Sequence, residues 1–195
     1  MKNNYPAIAI FIITLLSSVF YLSNSLKLHL KPAITSTPAS TFASPAPLPS
    51  ANQILGARVK TAGCQAQGPL PDKACTPGAV MAGVTKEQIC TSGYSSSVRN
   101  VTSATKDQVF AEYGITSHQP GQYEIDHLIS LELAGSNDVS NLWPEPAEPR
   151  PGYHEKDRYE NFLHQQICSG KITLEEAQKR ISDNWLKNWV EAGQP

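Results

Sequence analysis

The chain lacks a basic surplus. Its 16 Lys and Arg face 17 Asp and Glu. Residues 1–50 hold Lys2, Lys27 and Lys31 and no acid, so residues 51–195 carry 13 basic and 17 acidic side chains, a net of −4. Proteins that grip duplex nucleic acid mainly by neutralising phosphates are basic, because counterion release supplies much of the affinity. Any polyanion held by this domain needs a local patch or a metal. The four cysteines include no Cys-x-x-Cys spacing, which argues against a zinc knuckle. At 195 residues there is room for one globular domain and an N-terminal appendage.

The appendage is visible in composition. Residues 7–22 form an apolar run, AIAIFIITLLSSVFYL, preceded by Lys2. Its length lies between a signal-peptide core and a spanning helix of ~20 residues. Ser23 and Ser25 supply small residues for a cleavage site, and residues 1–31 are expected to be a signal peptide or membrane anchor. From 32 to 53 the chain is rich in Pro, Ser, Thr and Ala, with too little apolar periodicity to fold, so it reads as a spacer. Residues 54–195 are the expected domain. Cys64, Cys75, Cys90 and Cys168 all follow the appendage, and an even count in an exported chain implies two disulfides with three possible pairings. The expected location is extracytoplasmic, either membrane-anchored through an uncleaved segment or secreted or periplasmic.

Within the domain, residues 54–95 look irregular, with turn signals at Gly68-Pro69, Pro71-Asp72 and Thr76-Pro77-Gly78. Thr105 to Gln108 resembles a capping box that opens a short helix closed by Gly114. The alternating stretch YEIDHL predicts a strand, LELAG is a second apolar run, and four prolines between Pro144 and Gly152 break regular structure. A helix follows from about Tyr153 to Cys168, with Tyr159, Phe162, Leu163 and Ile167 on one side and His154, Asp157, Asn161, His164 and, at the margin, Glu160 on the other. Thr173 and Glu176 start a last helix that buries Leu174, Ala177, Ile181, Trp185 and Leu186 or Trp189. Trp143 and the two later tryptophans are read as core. Strand, strand, helix with flanking helices is α+β.

The chemistry-bearing stretch is Tyr123 to Pro144. It sets Asp126-His127 at the end of a strand and Asn141 fourteen residues after the His, with an Ala134-Gly135 turn between. This arrangement resembles the HNH nuclease motif, a ββα-metal site, with Ala134 where the family usually has a first Gly. The likeness extends over about residues 63–190 to a group of small exported bacterial proteins with HNH-type features, through PGQYEIDHLISLELAGSNDVSNLWPEP, HEKDRYENFLHQQICSGKI and EAQKRISDNW. The resemblance implies Asp126 as a metal ligand, His127 as general base and Asn141 as the residue that orients it. The family's last element falls at Arg150, and about four inserted residues bring His154 into the slot with Asp157 one turn on. Glu160 and His164 form a rival pair on the same helix. Asp157 and His164 stand seven residues apart, ~10 Å along a helix axis, so the two pairs cannot share one ion. Lys156 is a candidate contact to the scissile phosphate.

Such a site would use a divalent cation for charge stabilisation and an imidazole for proton transfer. Mg²⁺ suits an oxygen-rich site; imidazole ligands would favour Zn²⁺, Mn²⁺ or Ni²⁺. The sequence therefore leads to a disulfide-stabilised, HNH-like metal-dependent endonuclease whose partner is nucleic acid, DNA ahead of RNA. The alternative is a non-catalytic extracytoplasmic binding module on the same scaffold.

Overall fold

Residues 50–195 are described in the computed structural model. The apolar run at 7–22 and most of the spacer lie outside them. The described chain opens with an antiparallel pair, β1 (Ser50–Ile54) and β2 (Ala79–Ala82). β1 thus takes in residues 50–53, which composition alone assigns to the spacer. Between these strands lies an irregular segment closed by the Cys64–Cys75 disulfide. Arg58, which pairs with Glu112 at 2.5 Å, ties it to the next layer.

Two short helices follow in a region read from sequence as irregular. α1 (Lys86–Ile89) is opened by a capping box in which Thr85 accepts from Gln88 N–H and the Gln88 side chain accepts from Thr85 N–H. α2 (Tyr94–Val98) comes next. α3 (Ser103–Glu112) starts one turn before the Thr105 box that the sequence suggests, because Thr102 accepts from Thr105 N–H instead. Gly114, at φ +68°, carries the chain out of it.

β3 (Tyr123–His127) pairs antiparallel with β4 (Leu142–Pro146). The second strand is therefore not LELAG; Leu131–Leu133 is a 3₁₀ turn, as is Val139–Asn141. β4 escapes sequence reading because it contains Pro144 and Pro146. Both are tolerated on a two-stranded edge. Ladder bonds from Leu128 N–H to the Asn141 carbonyl and from Ala147 N–H to the Gln122 carbonyl place the prolines, by antiparallel alternation, where no N–H is needed. Gly135 in the connecting turn is obligatory, since a Cβ there would sit 1.7 Å from the Ile129 carbonyl oxygen. Ala134, at φ +59°, adopts the left-handed conformation that a glycine takes without strain.

α4 (Tyr153–Cys168) and α5 (Leu174–Glu191) complete the fold. α4 keeps the bounds read from the sequence and buries Tyr159, Leu163 and Ile167. α5 starts at the Thr173 cap, whose hydroxyl accepts from Glu176 N–H. The helix breaks at Asn184, whose φ is −163° and ψ 91°. The Asn184 side chain accepts from Lys187 N–H and Asn188 donates to the Arg180 carbonyl, so both backbone groups find side-chain partners. The main core joins Leu128, Ile129, Trp143, Leu163, Ile181 and Trp185, with Val109, Ile125 and Leu142 in a smaller cluster. The architecture is mixed α+β with two small antiparallel sheets. Among the described residues no helix is long and apolar enough to cross a membrane.

The second disulfide joins Cys90 to Cys168, 78 residues apart, whereas Cys64 and Cys75 are separated by 11. Chain-entropy reasoning gives about 4.5 kcal/mol for the long loop and about 3 kcal/mol for the short one. Replacing Cys90 and Cys168 by serine should therefore destabilise the protein more than replacing Cys64 and Cys75. Urea midpoints in the opposite order would overturn that ranking.

Candidate functional site

Neighbours on a strand face opposite ways, so β3 sends Asp126 and His127 into different surroundings. Asp126 meets Lys156 of α4, whose Nζ donates to Asp126 Oδ2 at 2.5 Å, to the His127 carbonyl at 2.7 Å and to Glu160. Glu145 of β4 brings a third carboxylate, 3.6 Å from the same nitrogen. Lys156 and Glu145 are wholly buried. Lys156 is thus not available to a phosphate as the sequence suggests, and Glu160 is buried against Lys156 instead of pairing with His164.

One ammonium cannot balance three buried carboxylates. Burial pushes Glu145 and Glu160 well above the ordinary carboxylate range. Asp126 is pushed up by burial too, but the Lys156 charge outweighs it and holds the group low. Burial opposes the charged form of Lys156, while Asp126, Glu160 and Glu145 hold it well above its usual value. Burial thus works against ionising Glu145 and Glu160, while the Lys156 charge favours the ionised form of Asp126, in keeping with the cost of uncompensated charge in a low-dielectric interior.

His127 is 1% exposed. Its Nε2 lies 3.1 Å from Asn137 Oδ1. The Asn137 amide is oriented by its Nδ2, which donates to the Val98 carbonyl at 2.8 Å, so Oδ1 accepts and Nε2 carries the proton. Nδ1 is left with the lone pair. Burial drives this imidazole down to about 4, against the pull of Asp126 and Asn137. Asn137 has no part in the motif and is missed by sequence reasoning; only its short polar side chain in the Ser136-Asn137-Asp138 turn could have marked it.

Asn141 does different work. It is fully buried, with Oδ1 accepting from the Ile129 and Ala79 N–H groups at 3.0 and 3.3 Å. Its Nδ2 donates to the Ile129 and Ser136 carbonyls at 3.0 and 2.8 Å. All the amide's capacity goes into closing the loop between β3 and β4, and none reaches His127. The orienting role passes to Asn137.

On the outer side of Asp126 stand Asp157 at the start of α4 and Glu124 on β3. Both reach the surface, yet partial desolvation by the surrounding protein, then the Asp126 charge, raises both carboxyls. His154 is exposed one turn before Asp157, where a positive charge on it favours the Asp157 carboxylate. His164 is separate. Its Nε2 approaches the Ile89 carbonyl at 3.1 Å and Cys168 Sγ at 3.5 Å, and its Nδ1 is 3.9 Å from Glu132.

Among the described residues, the group whose ligand atoms lie within one ion's reach is Cys90, His164 and Cys168, all within 4.8 Å of one another. These three could hold a metal ion. With Cys90 and Cys168 bonded to each other, however, both sulfurs are spent, and thiolate is the ligating form. Asp126, His154 and Asp157 do not form such a closed group. No protein-family model, curated protein or solved structure matches the chain.

Two outcomes follow from the two buried side chains. Asn141→Ala strands four backbone groups and should lower unfolding free energy by about 4 kcal/mol, at roughly 1 kcal/mol per lost bond; unchanged urea stability would return Asn141 to the chemistry. His127 protonates near 6.5 when unfolded and near 4 when folded, so the unfolded chain binds the proton first. Stability should fall as pH drops from 6.5 towards 4, by on the order of 3 kcal/mol from this group. His127→Asn should flatten that limb, and an unaltered acid profile would count against the assignment.

Proposed function

We propose that the chain is an HNH-like, metal-dependent nuclease that hydrolyses phosphodiester bonds of nucleic acid outside the cytoplasm. The observation that carries this reading is the fixed tautomer of His127. An imidazole held by Asn137 through Nε2–H presents an unprotonated Nδ1, the form a general base needs. Along β3, His127 follows Asp126, whose charge acts on the imidazole, and the order β3, β4, α4 is that of a ββα unit. Two disulfides are compatible with an extracytoplasmic location.

The donor set favours Mg²⁺. Zn²⁺ takes three or four nitrogen, sulfur or carboxylate ligands from the protein, and no such set converges around Asp126. Mg²⁺ is held through one or two carboxylates and keeps several waters, which fits Asp126 with Asp157, and with Glu124 and His154 alongside. Once bound there, such an ion would neutralise charge on the phosphate and on the leaving oxygen. His127 takes the proton of the attacking water at Nδ1, and Asn137 Oδ1 supports the imidazolium that results. Lys156 holds Asp126 in place from behind, and Asn141 fixes the loop that sets the two strands in register.

A second reading, a non-catalytic binding module, draws on the near-complete burial of His127 and on the occupation of Asp126 by Lys156. Plasmid DNA and RNA incubated with the oxidised protein in Mg²⁺, Mn²⁺, Ni²⁺, Zn²⁺ or EDTA separate the two. The nuclease reading expects cleavage in Mg²⁺ or Mn²⁺, abolished by EDTA and reduced about 10²-fold or more in His127→Ala, the usual worth of a general base. Folded protein that cleaves nothing in any metal would leave the binding module.

A further inference from the structure

With Lys156 sealed inside the protein, the site needs another cation if it is to hold a phosphodiester. The described residues contain five arginines. Arg58, Arg150, Arg158 and Arg180 each hold a carboxylate. Arg99 is exposed and is the one arginine among them whose guanidinium has neither an ion pair nor a hydrogen bond. Yet it stands amid acids: its charge lowers Glu124, Asp157 and His127 alike.

The backbone around Arg99 is fixed by the side chain that fixes His127. Asn137 Nδ2 donates to the carbonyl of Val98 at 2.8 Å, and Asn137 Oδ1 accepts from Asn100 N–H at 3.1 Å. The residues before and after Arg99 are therefore both bonded to one amide, and that amide's oxygen also receives His127 Nε2–H at 3.1 Å. α2 ends at Val98, and Arg99 leaves it in extended conformation, at φ −65° and ψ 121°. The main chain is pinned on both sides while the side chain stays unengaged beside the base.

We propose that Arg99 is the phosphate-holding residue of this site, and that Asn137 is the positioning residue that sets it beside His127. The proposal rests on the nucleic-acid reading above. A guanidinium offers two parallel N–H donors that match two phosphate oxygens. An arginine without a carboxylate partner avoids breaking an ion pair when that anion arrives. It also answers the acidic balance of the domain: one unpaired cation placed at the site does what a general basic surface does in other proteins.

The test is binding of the full, oxidised chain to a short fluorescein-labelled DNA duplex, followed by anisotropy in EDTA across a series of salt concentrations. Arg99→Ala should weaken binding about tenfold and lower the salt slope by about 1, the signature of one lost phosphate contact. Arg99→Lys should keep the slope. Asn137→Ala should also weaken binding, and adding Arg99→Ala to it should cost little more. Arg99→Ala binding like the wild type, with an unaltered slope, would overturn the proposal, as would a wild-type protein that binds no duplex. Full additivity of the two substitutions would overturn the role of Asn137. A wild-type protein that binds through Arg99 but cleaves nothing would sink the nuclease reading and uphold this one. Cleavage that survives Arg99→Ala with unaltered affinity would do the reverse.

Discussion

The buried ammonium of Lys156 joins the three elements on which the site is built. It takes Asp126 from β3, Glu145 from β4 and Glu160 from its own helix. Withdrawing an ion from water costs several kcal/mol, and an ion pair recovers this only when its geometry is good. Here the recovery depends on α4 lying at one height against the hairpin. A slip of one residue along either strand would turn Asp126 or Glu145 to the opposite face. The knot is thus a weak source of net stability but a strict constraint on register, and it determines where the carboxylates of Asp126 and Asp157 stand.

Two asparagines four residues apart divide the remaining work. Asn141 spends its amide on four main-chain groups, which makes the β3–β4 loop as rigid as a strand ladder would. Asn137 reaches the other way and couples His127 to the segment that follows α2. Because a carbonyl oxygen can only accept, one amide settles both the tautomer of the imidazole and the path of residues 98–100. Local order near His127 therefore comes from side chain-to-backbone bonds, not from regular structure.

The sequence made the two long helices legible because their caps and apolar periods are local. Tyr153–Cys168 and the Thr173 start of α5 follow from spacing alone, as does the buried set of Ala177, Ile181 and Trp185. What it hid depends on partners distant in the chain. Pro144 and Pro146 read as a break because period and propensity take no account of whether a strand lies on an edge. Lys156 read as a phosphate contact and Glu160 as a partner of His164 because a helical wheel assigns a face without saying what that face meets. Asn141 stands at the motif's spacing, yet spacing could not show that the backbone would consume all its bonds. His164 shares a helix face with Asp157 but lies two turns away, where it meets Glu132 and the Cys90–Cys168 disulfide.

Whether an ion can approach Asp126 at all turns on charge. Lys156 already satisfies one of its oxygens, and a divalent cation placed next to an ammonium is repelled. Asp157 and Glu124 counter that repulsion. Desolvation and the Asp126 charge raise both carboxyls, so negative charge there is disfavoured until a cation joins it. A cation entering beside them relieves that penalty without displacing Lys156, and Arg99 lies on the same side to receive the phosphate the ion would bring. Under the nuclease reading, the knot behind Asp126 and the uncompensated acids in front of it are complementary: one keeps the ligand still and the other supplies the field that draws the metal in.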